Sequence, residues 1–341
     1  MRRQKEQDFR KRHEVPITSS ESAIAVSDLT KCYGKMLAVD HINFNVKKGE
    51  IFGFLGPNGA GKTTTINMLT GITKPTSGTA FISGFDITHE HIKAKELVGV
   101  VPQVSFLYDE MTAWDNINFS AKLHSIPKKK RKSLAQELLH LFGLYERRND
   151  RVGNFSGGMK KRLMIATSLM HEPEILFLDE PTTGLDVQSA RQIRDLIKEW
   201  NVKGTTVFLT THYIEEADQL CQRIAILNKG KIITVDTPEE LKNIVKTENI
   251  IEVSFNHAGD IVDRLKELSS VRNVVIAGDK FRLYVEDSTE TLPSIIHFAE
   301  KNHLKVTSVS TVKPTLEDAF VKITGLRPEL MTLEKEHTKP S

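Results

Sequence analysis

Hydrophobic residues in the first two thirds of the chain are gathered in short runs that alternate with helix-like segments. The runs are IFGFL at residues 51–55, ILFL at 175–178 and TTVFLTT at 205–211. Each is too short for an ordinary helix and is rich in apolar or β-branched residues. Such runs predict strands that are covered on both faces, as in a parallel sheet.

Apolar residues recur at helical spacing after the first run, where Ile66, Met68 and Leu69 follow the glycine-rich segment. The same spacing predicts helices in TAWDNINFSAKLHSI (112–126), in SLAQELLHLFGL (133–144) and after NFSGG (154–158). The polar run PKKKRK (127–132) stands between two of these patterns. We interpret it as a solvated loop, although it also has the composition of a nuclear-localisation patch.

The pattern changes near Pro238, where alternating strand segments and short helical segments replace the long apolar runs. The predicted order is strand, helix, hairpin around Gly278-Asp279, helix and strand, which indicates a small ferredoxin-like α+β module. Its histidines, at positions 257, 297 and 303, lack metal-ligand spacing. A regulatory or dimer-supporting role and a purely structural role both remain open for this module.

Composition limits the class of protein. The chain has 341 residues, a formal net charge of +3 and only two cysteines, Cys32 and Cys221. These values favour a globular protein of about two domains in a reducing compartment and give no sign of nucleic-acid binding. No run approaches the ~18 apolar residues of a membrane span, so a membrane role would require another polypeptide. Residues 1–22 and 327–341 read as polar tails, the first of them basic and disordered.

The segment GPNGAGKTT contains the spacing Gly56-x-x-x-x-Gly61-Lys62-Thr63 between a predicted strand and a predicted helix. This is the context that a phosphate-binding loop requires. Glycines permit backbone angles that turn N–H groups toward phosphate oxygens, and the helix N-terminus adds a favourable dipole. The lysine can reach the β- and γ-phosphates, and the threonine hydroxyl can hold Mg²⁺.

Two further strands end in polar residues. Asp179 and Glu180 follow ILFL, and His212 follows the third run. Because parallel strands present their C-terminal ends to one ligand crevice, these side chains are expected to meet near the phosphate loop. We predict that Asp179 belongs to the Mg²⁺ shell, that Glu180 polarises an attacking water, and that His212 contacts the γ-phosphate.

Residues 23–240 resemble the nucleotide-binding domain of ABC ATPases. GPNGAGKTT is similar to Walker A, LFLDEP to Walker B with its catalytic glutamate, VVPQ to the Q-loop, GLD (184–186) to the D-loop and TTH to the switch histidine. TKCYG places Tyr33 where the family stacks an aromatic ring on adenine. FSGGMKKR resembles the signature LSGGQ but has Phe155 and Met159 in place of leucine and glutamine.

The resemblance implies a set of functional residues. For nucleotide binding these are Tyr33, Gly56, Asn58, Gly59, Gly61, Lys62, Thr63, Thr64, Ser156, Gly157 and Gly158; for catalysis Gln103, Glu180 and His212; for Mg²⁺ Thr63, Gln103 and Asp179. In this family the signature of one domain closes over ATP held by the Walker A of a second. The chain has one copy of each, which implies a dimer; a homodimer would have two competent sites, and a heterodimer is the alternative.

The resemblance also implies partners. Residues between Gln103 and Ser156 correspond to the helical subdomain that receives a membrane subunit, with Phe106, Leu107 and Tyr108 as candidate contacts. KPTLEDAFVKITG (313–325) resembles the closing segment of daunorubicin-resistance-type exporter ATPases. These resemblances predict an α/β P-loop ATPase domain (23–240) and an α+β C-terminal domain (241–326). Together they indicate the ATP-hydrolysing subunit of an exporter, on the cytoplasmic face of a membrane beside a separate permease.

Two other functions are weighed against this one. A soluble ABC ATPase acting on nucleic acid or ribosomes would usually carry two ABC domains or a long coiled-coil insert, and neither is visible. A nucleotide-sensing regulator with little turnover has no need of the base at Glu180. We therefore expect no nucleic-acid partner.

Overall fold

The computed structural model describes residues 21–245, 249–256, 261–268 and 270–326. They form two compact units, one up to Thr237 and one from Pro238 to Leu326. The predicted tail at 327–341 lies outside the described residues. The same is true of the predicted basic tail at 1–22 except for its last two residues, and Ser22 already begins the first strand.

The first unit contains two sheets. Its strands are, in chain order, β1 (Ser22–Tyr33), β2 (Met36–Lys47), β3 (Ile51–Leu55), β4 (Ser77–Ile82), β5 (Phe85–Asp86), β6 (Val98–Val101), β7 (Ile175–Asp179), β8 (Thr206–Thr211), β9 (Arg223–Asn228) and β10 (Lys231–Asp236). One sheet is antiparallel, with the order β2-β1-β4-β5, and the other has the order β10-β9-β3-β8-β7-β6. In the second sheet only β10 runs antiparallel to its neighbour. The three predicted runs are thus confirmed as β3, β7 and β8, which are adjacent and parallel.

Helices of the first unit connect strands within the second sheet or join that sheet to the antiparallel one. They are α1 (Lys62–Leu69), α2 (His91–Glu96), α3 (Ala113–Leu123), α4 (Lys128–Leu141), α5 (Gly157–Ser168), α6 (Val187–Val202) and α7 (Ile214–Leu220). Side chains of Thr112, Ser156 and Asp186 cap α3, α5 and α6 by accepting hydrogen bonds from backbone N–H groups three residues later. The predicted helices at 112–126, 133–144 and after residue 156 are confirmed.

The core of the first unit is built around phenylalanines contributed by both sheets. Phe44 of β2 packs against Phe54 of β3 with ring centroids 4.9 Å apart, and Phe54 lies 4.9 Å from Phe208 of β8. Phe177 of β7 continues the cluster at 5.3 Å from Phe208. All four side chains are at most 3% exposed. Each such burial contributes about 1.5–3 kcal/mol, which holds β3, β7 and β8 in place.

The expectation of a solvated loop at 127–132 is wrong. Helix α4 begins at Lys128, immediately after Pro127, and includes the basic residues. Lysine and arginine are good helix formers, and proline is well suited to the start of a helix. The fully buried stripe formed by Ala135, Leu138 and Leu139 fixes the helix against its neighbours, so the helix extends back through the charged residues.

The second unit begins with α8 (Pro238–Asn243) and continues through a four-stranded sheet. Its other elements are β11 (Asn249–Phe255), α9 (Val262–Lys266), β12 (Val271–Ala277), β13 (Lys280–Val285), α10 (Ser288–Lys301), β14 (Val306–Val312) and α11 (Leu316–Thr324). The strand order β12-β13-β11-β14, antiparallel throughout, is that of a ferredoxin-like βαββαβ module. The hairpin at Gly278, with φ of 63°, is confirmed.

A polar network fastens α11 to the sheet of the second unit. Tyr284 of β13 donates its hydroxyl hydrogen bond to Asp318, and Arg282 Nη1 lies 3.5 Å from Asp318 Oδ1. Asp318 also accepts from the backbone and hydroxyl of Thr315, which completes a capping box. Asp318 is only 3% exposed, so its charge depends on these partners.

Candidate functional site

Three parallel strands bring their C-terminal ends together in the first unit. Gly56 follows β3, Glu180 follows β7 and His212 follows β8. The backbone joins them directly: Gly56 N donates to Thr211 O at 3.3 Å, and Glu180 N donates to Thr210 O at 3.1 Å. The predicted meeting of these residues at one sheet edge is confirmed, because adjacent parallel strands end on the same side.

The glycine loop between β3 and α1 leaves no room for side chains at two positions. A Cβ at Gly56 would lie 2.5 Å from Leu227 O, and one at Gly61 would lie 2.6 Å from Ala38 O. Gly61 also has φ of 101° and Gly59 has φ of 80°, a region that residues other than glycine resist. The loop is therefore fixed close to its neighbours, while Gly59 is exposed and Asn58 is half-buried.

Lys62 is the first residue of α1 and is 4% exposed. Its ammonium donates to Gly56 O at 2.8 Å and to Pro57 O at 3.1 Å. Thr63, the next residue, is exposed, and Thr64 is half-buried. The first turn of α1 thus carries a buried cation inside the loop and a hydroxyl at its surface.

Glu180 is the centre of the site. Its Oε1 atom lies 3.6 Å from Lys62 Nζ and 3.2 Å from His212 Nδ1. Its Oε2 atom accepts hydrogen bonds from Gln103 Nε2 at 3.0 Å and from Thr183 Oγ1 at 3.2 Å. The residue is 6% exposed and has φ of 47°, in the left-handed region. Three predicted residues, Gln103, Lys62 and His212, therefore converge on it.

These contacts set the charge of Glu180. Burial alone would raise its pKa, but His212, the Lys62 ammonium and Thr183 outweigh burial and lower the pKa to about 2. Glu180 is thus a carboxylate at neutral pH, stabilised by the lysine. An anion that took over Lys62 would remove part of this stabilisation and make Glu180 a better proton acceptor.

Asp179 is the last residue of β7 and is 4% exposed. Its Oδ1 atom accepts a hydrogen bond from Thr210 Oγ1, and Thr210 also accepts from Glu180 N at 3.1 Å. Among the described residues no group of three or more His, Cys, Asp and Glu could hold a metal ion. Mg²⁺ commonly uses one or two carboxylates together with substrate phosphates and water, so the oxygens of Asp179 and Thr63 fit that ion.

The segment from Ser156 to Gly158 forms the start of α5. Ser156 Oγ accepts a hydrogen bond from Met159 N at 3.3 Å, and Ser156 and Gly157 are exposed. A Cβ at Gly158 would lie 2.6 Å from Ser189 Oγ, so α5 begins in close contact with α6. We call Glu180 and the side chains that contact it (Lys62, Gln103, Thr183 and His212) the Glu180 cluster. The hydrogen bond that the Ser156 side chain accepts stays within its own helix and does not join it to this cluster.

Tyr33 ends β1 and is 44% exposed. The Lys31 ammonium lies 5.0 Å from the centre of its ring. One face of the Tyr33 ring therefore lies beside a cation at the protein surface. No contact in the described part of the chain joins Tyr33 to the Glu180 cluster.

Three residues of the site were not predicted from the sequence. Thr183 and Thr210 orient Glu180 and Asp179, and the signal for Thr210 was its place in TTH, two residues before His212. Lys161 of α5 is 6% exposed, and burial lowers its pKa despite the opposing charges of Asp179 and Glu180. Its Nζ atom lies 3.5 Å from Pro102 O, next to Gln103, so it links the start of α5 to the Gln103 segment.

A glycine loop between a buried strand and a helix, with a carboxylate pair at the end of a second parallel strand of the same sheet, defines a P-loop nucleoside triphosphatase. Residues 39–183 match the model of the family described as ABC transporter, and residues 237–324 match the one described as ATP-binding protein DrrA1-3-like, C-terminal domain. The chain belongs to the ATP-binding proteins of ABC transporters and has a DrrA-like C-terminal domain.

Similar proteins cover nearly the whole chain. The linearmycin resistance ATP-binding protein LnrL of Bacillus subtilis is 36% identical over 89% of this chain and 98% of its own length. The daunorubicin/doxorubicin resistance ATP-binding protein DrrA of Streptomyces peucetius is 35% identical over 90% of this chain and 94% of its own length.

Solved structures of ATP-binding cassettes match about two thirds of the chain. A dimeric structure of a post-hydrolysis state of the ATP-binding cassette MJ0796, bound to ADP and Pi, has a TM-score of 0.58 and 29% identity over 63% of this chain and 98% of its own. The structure of an ATP-binding subunit of an ABC transporter has a TM-score of 0.60 and 27% identity over 65% and 93% of the two chains.

These findings establish the class of activity. The chain is an ATP-binding and ATP-hydrolysing subunit of an ABC transporter. Subunits of this family dimerise and work with a membrane permease. The relatives give no support to the alternative of an ATPase acting on nucleic acid or ribosomes. In the part of the chain that the structure describes, no helix is both long enough and apolar enough to cross a membrane.

Proposed function

We propose that two copies of this chain hydrolyse ATP at shared sites and thereby drive export through a separate permease. The observation that carries the proposal is the convergence of Lys62, Gln103 and His212 on the single buried carboxylate of Glu180. Because Lys62, Ser156, Glu180 and His212 are all present in one chain, a homodimer has two competent sites. A heterodimer with a different cassette is the alternative.

ATP binds in this proposal with its phosphates in the glycine loop. Backbone N–H groups at Asn58, Gly59 and Gly61 surround the phosphate oxygens, and Lys62 exchanges its carbonyl partners for the β- and γ-phosphates. Gly56 and Thr64 complete the loop at its two ends. The adenine ring stacks on Tyr33, whose exposed ring offers a flat apolar surface.

Mg²⁺ is the metal that we propose for this site, held by Thr63, Gln103 and Asp179 together with phosphate oxygens. When bound, it neutralises charge on the β- and γ-phosphates. Asp179 suits this role because the Thr210 hydroxyl fixes the orientation of its carboxylate.

Glu180 is the proposed general base. It polarises a water whose oxygen attacks the γ-phosphorus, the bond from that phosphorus to the bridging oxygen breaks, and ADP leaves with the electron pair. The water proton passes to Glu180, which is poised to accept it once the phosphates hold Lys62. Such proton transfer typically contributes 10²–10⁴-fold. His212 contacts the γ-phosphate and keeps Glu180 oriented.

The Ser156–Gly158 segment serves the nucleotide held by the other chain. Ser156 and Gly157 are exposed at a helix start, where a hydroxyl and free N–H groups can contact a γ-phosphate. ATP bound between two chains then joins them, and its hydrolysis releases them. Phe155 and Met159 change the packing of the segment and leave this contact in place.

The permease is proposed to bind beside Gln103. Val104, Phe106 and Tyr108 are 78%, 41% and 50% exposed, an unusual concentration of apolar surface next to a site residue. Leu107 is the fourth candidate contact. Docking there would place the chain on the cytoplasmic face of the membrane. In this proposal residues 23–240 are the ATPase domain and residues 241–326 are an accessory domain.

One experiment tests the assembly. Two differently tagged copies of the Glu180→Gln variant are expressed together in the native host, supplied with Mg-ATP and purified through one tag from gently solubilised membranes. The variant retains the shape of the site but not the base, so a dimer containing both tags and a stoichiometric multi-span protein are expected to co-purify.

Glu180→Gln with the additional change Ser156→Arg is the matched control. An arginine at the exposed helix start blocks the second chain, so the two tags should separate while each monomer still binds ATP. Recovery of a different cassette beside one tag would establish the heterodimer. Recovery of ribosomes or nucleic acid in place of a multi-span protein would contradict the transporter assembly.

A further inference from the structure

Strand β14 is an edge strand of the second unit. It pairs with β11 on one side, and in the described ranges no strand pairs with its other side. Residues 307–311 are all exposed. An open edge presents a row of unpaired backbone N–H and C=O groups, which proteins normally cover or protect.

The sequence of this edge is a palindrome. Residues 305–313 read KVTSVSTVK in both directions, with Val309 at the centre. If two copies of the strand pair antiparallel about a twofold axis through Val309, each residue faces its own kind. Val306 then lies opposite Val312, Thr307 opposite Thr311, and Ser308 opposite Ser310 of the second copy.

Such pairs are favourable ones for a sheet. Hydrogen-bonded pairs of threonine and serine stabilise a strand pair relative to alanine pairs, and β-branched valine packs well on the pleated surface of a sheet. Register is usually weakly specified in an uncharged edge strand, but here only one antiparallel register matches every residue with its equivalent. Two copies of one strand that pair antiparallel are related by a twofold axis, so this register gives a closed, isologous interface.

Strand β14 is hydrogen-bonded to β11 along its inner edge, so the position of its outer edge is fixed. Val253 and Ile251 of β11 lie opposite Val309 and Thr311, and Val253 and Ile251 belong to the buried core. Val309 shares their face of the sheet yet is 40% exposed. A second copy would cover it with its own Val309.

Lysines limit the pairing to the seven central residues. Lys305 and Lys313 flank the strand and would face one another at each end of the twofold pair. Like charges directly opposite one another are unfavourable, so added salt should strengthen this association by screening them.

We propose that the outer edge of β14 binds the same edge of a second copy of this chain, so that one antiparallel sheet runs through the C-terminal units of both. The pairing uses the backbone groups of residues 306–312 and is closed by its twofold axis, since each copy contributes its one β14 edge. It involves neither nucleotide nor the Glu180 cluster, so it stands independently of the proposed function.

Disulfide trapping in the full chain without nucleotide tests the register. Cys32→Ser serves as the background, because Cys221 is buried and burial raises the pKa of its thiol, which makes it unreactive. Directly opposed residues have Cα atoms about 4.5–5.5 Å apart, within disulfide range. Val309→Cys should therefore form a disulfide dimer on mild oxidation.

Thr307→Cys is the matched control. In the proposed register Thr307 lies four residues, or about 13 Å, from its own equivalent, so this variant alone should not cross-link. Thr307→Cys mixed with Thr311→Cys should give a mixed disulfide. Equal cross-linking of Val309→Cys and Thr307→Cys, or none with Val309→Cys, would overturn the proposal.

Sedimentation equilibrium of the nucleotide-free chain gives a second measurement. Val309→Lys places two cations on the twofold axis and should weaken self-association roughly fivefold or more, whereas Val309→Thr should change it little. Association of the unmodified chain should strengthen with salt. Self-association that ignores Val309→Lys would place the contact elsewhere and refute the β14 edge.

Discussion

The two units of the molecule handle buried charge in different ways. In the first, Lys62, Glu180 and His212 come from three different connections after three strands, and all are at most 8% exposed. In the second, Asp318 draws its partners from its own helix cap and from one strand, β13. Because the partners of Glu180 come from separate loops, a ligand can replace one of them. The partners of Asp318 lie in its own helix cap and in the sheet, and they only hold the helix in place.

Backbone geometry supports the same distinction. Glu180 has φ of 47°, and its carboxylate is held by four side chains, two of them cationic or able to become so. Asp318 lies within a regular helix, and its contacts complete a standard capping box. Of these two buried carboxylates, only Glu180 therefore has a left-handed backbone.

The largest effect is expected from Lys62→Ala. Removing the cation takes away the group that faces the phosphates and deprives the buried Glu180 of its ammonium partner, so ATP hydrolysis should fall roughly 100-fold or more. Phosphate release under saturating Mg-ATP measures the change. Lys280→Ala in the second unit removes a partly exposed partner of Glu252 and is the matched control. Comparable losses in both variants would erase the contrast between the units.

Tyr284→Phe should have the next largest effect, and on stability alone. The change removes the hydroxyl donor from the buried Asp318 and should cost about 1–2 kcal/mol. Hydrogen exchange of the α11 amides should accelerate accordingly, while phosphate release stays at the wild-type rate. If hydrolysis dropped with Tyr284→Phe, the second unit would have to be counted among the parts that act in the chemistry.

The smallest effect concerns His171, a half-buried group of the first unit outside the Glu180 cluster. Its ring stacks on His124 at 3.9 Å, its Nε2 atom lies 3.0 Å from Val98 O, and burial lowers its pKa. Since the folded chain resists protonation there, stability is full above pH ~6.5 and declines as the pH falls below it.

The variant His171→Gln should show less of that decline, by less than about 1 kcal/mol, in urea unfolding curves between pH 7.5 and pH 5.5. Its phosphate release at pH 7.5 should equal that of the wild type. If this variant hydrolysed less ATP at pH 7.5, a buried group of the first unit could act in hydrolysis without contacting Glu180.

Sequence patterns were sufficient for much of this molecule. The runs that became β3, β7 and β8 are apolar on both faces, which only a covered parallel sheet accommodates, and their ends fixed the place of Lys62, Glu180 and His212. The βαββαβ order predicted the second sheet because its strands alternate and its hairpin carries a glycine. The spacing of residues along the chain is enough to predict both of these features.

Other features depend on tertiary contacts and were not available from spacing. The charged start of α4 is helical because Ala135, Leu138 and Leu139 are buried further along. Thr183 and Lys161 approach the site only through the path of the folded chain. The contact of Lys62 with Glu180 joins residues 118 positions apart (180 minus 62), and no local pattern encodes such a pair.

The left-handed backbone at Glu180 has a consequence for engineering. For a residue with a side chain this conformation costs about 1–2 kcal/mol, which glycine would not incur. Replacing Glu180 by glycine is therefore expected to remove this cost and, at the same time, to lower ATP turnover. A screen that selected only for thermal tolerance would accept glycine there and would return proteins that fold well but hydrolyse little ATP.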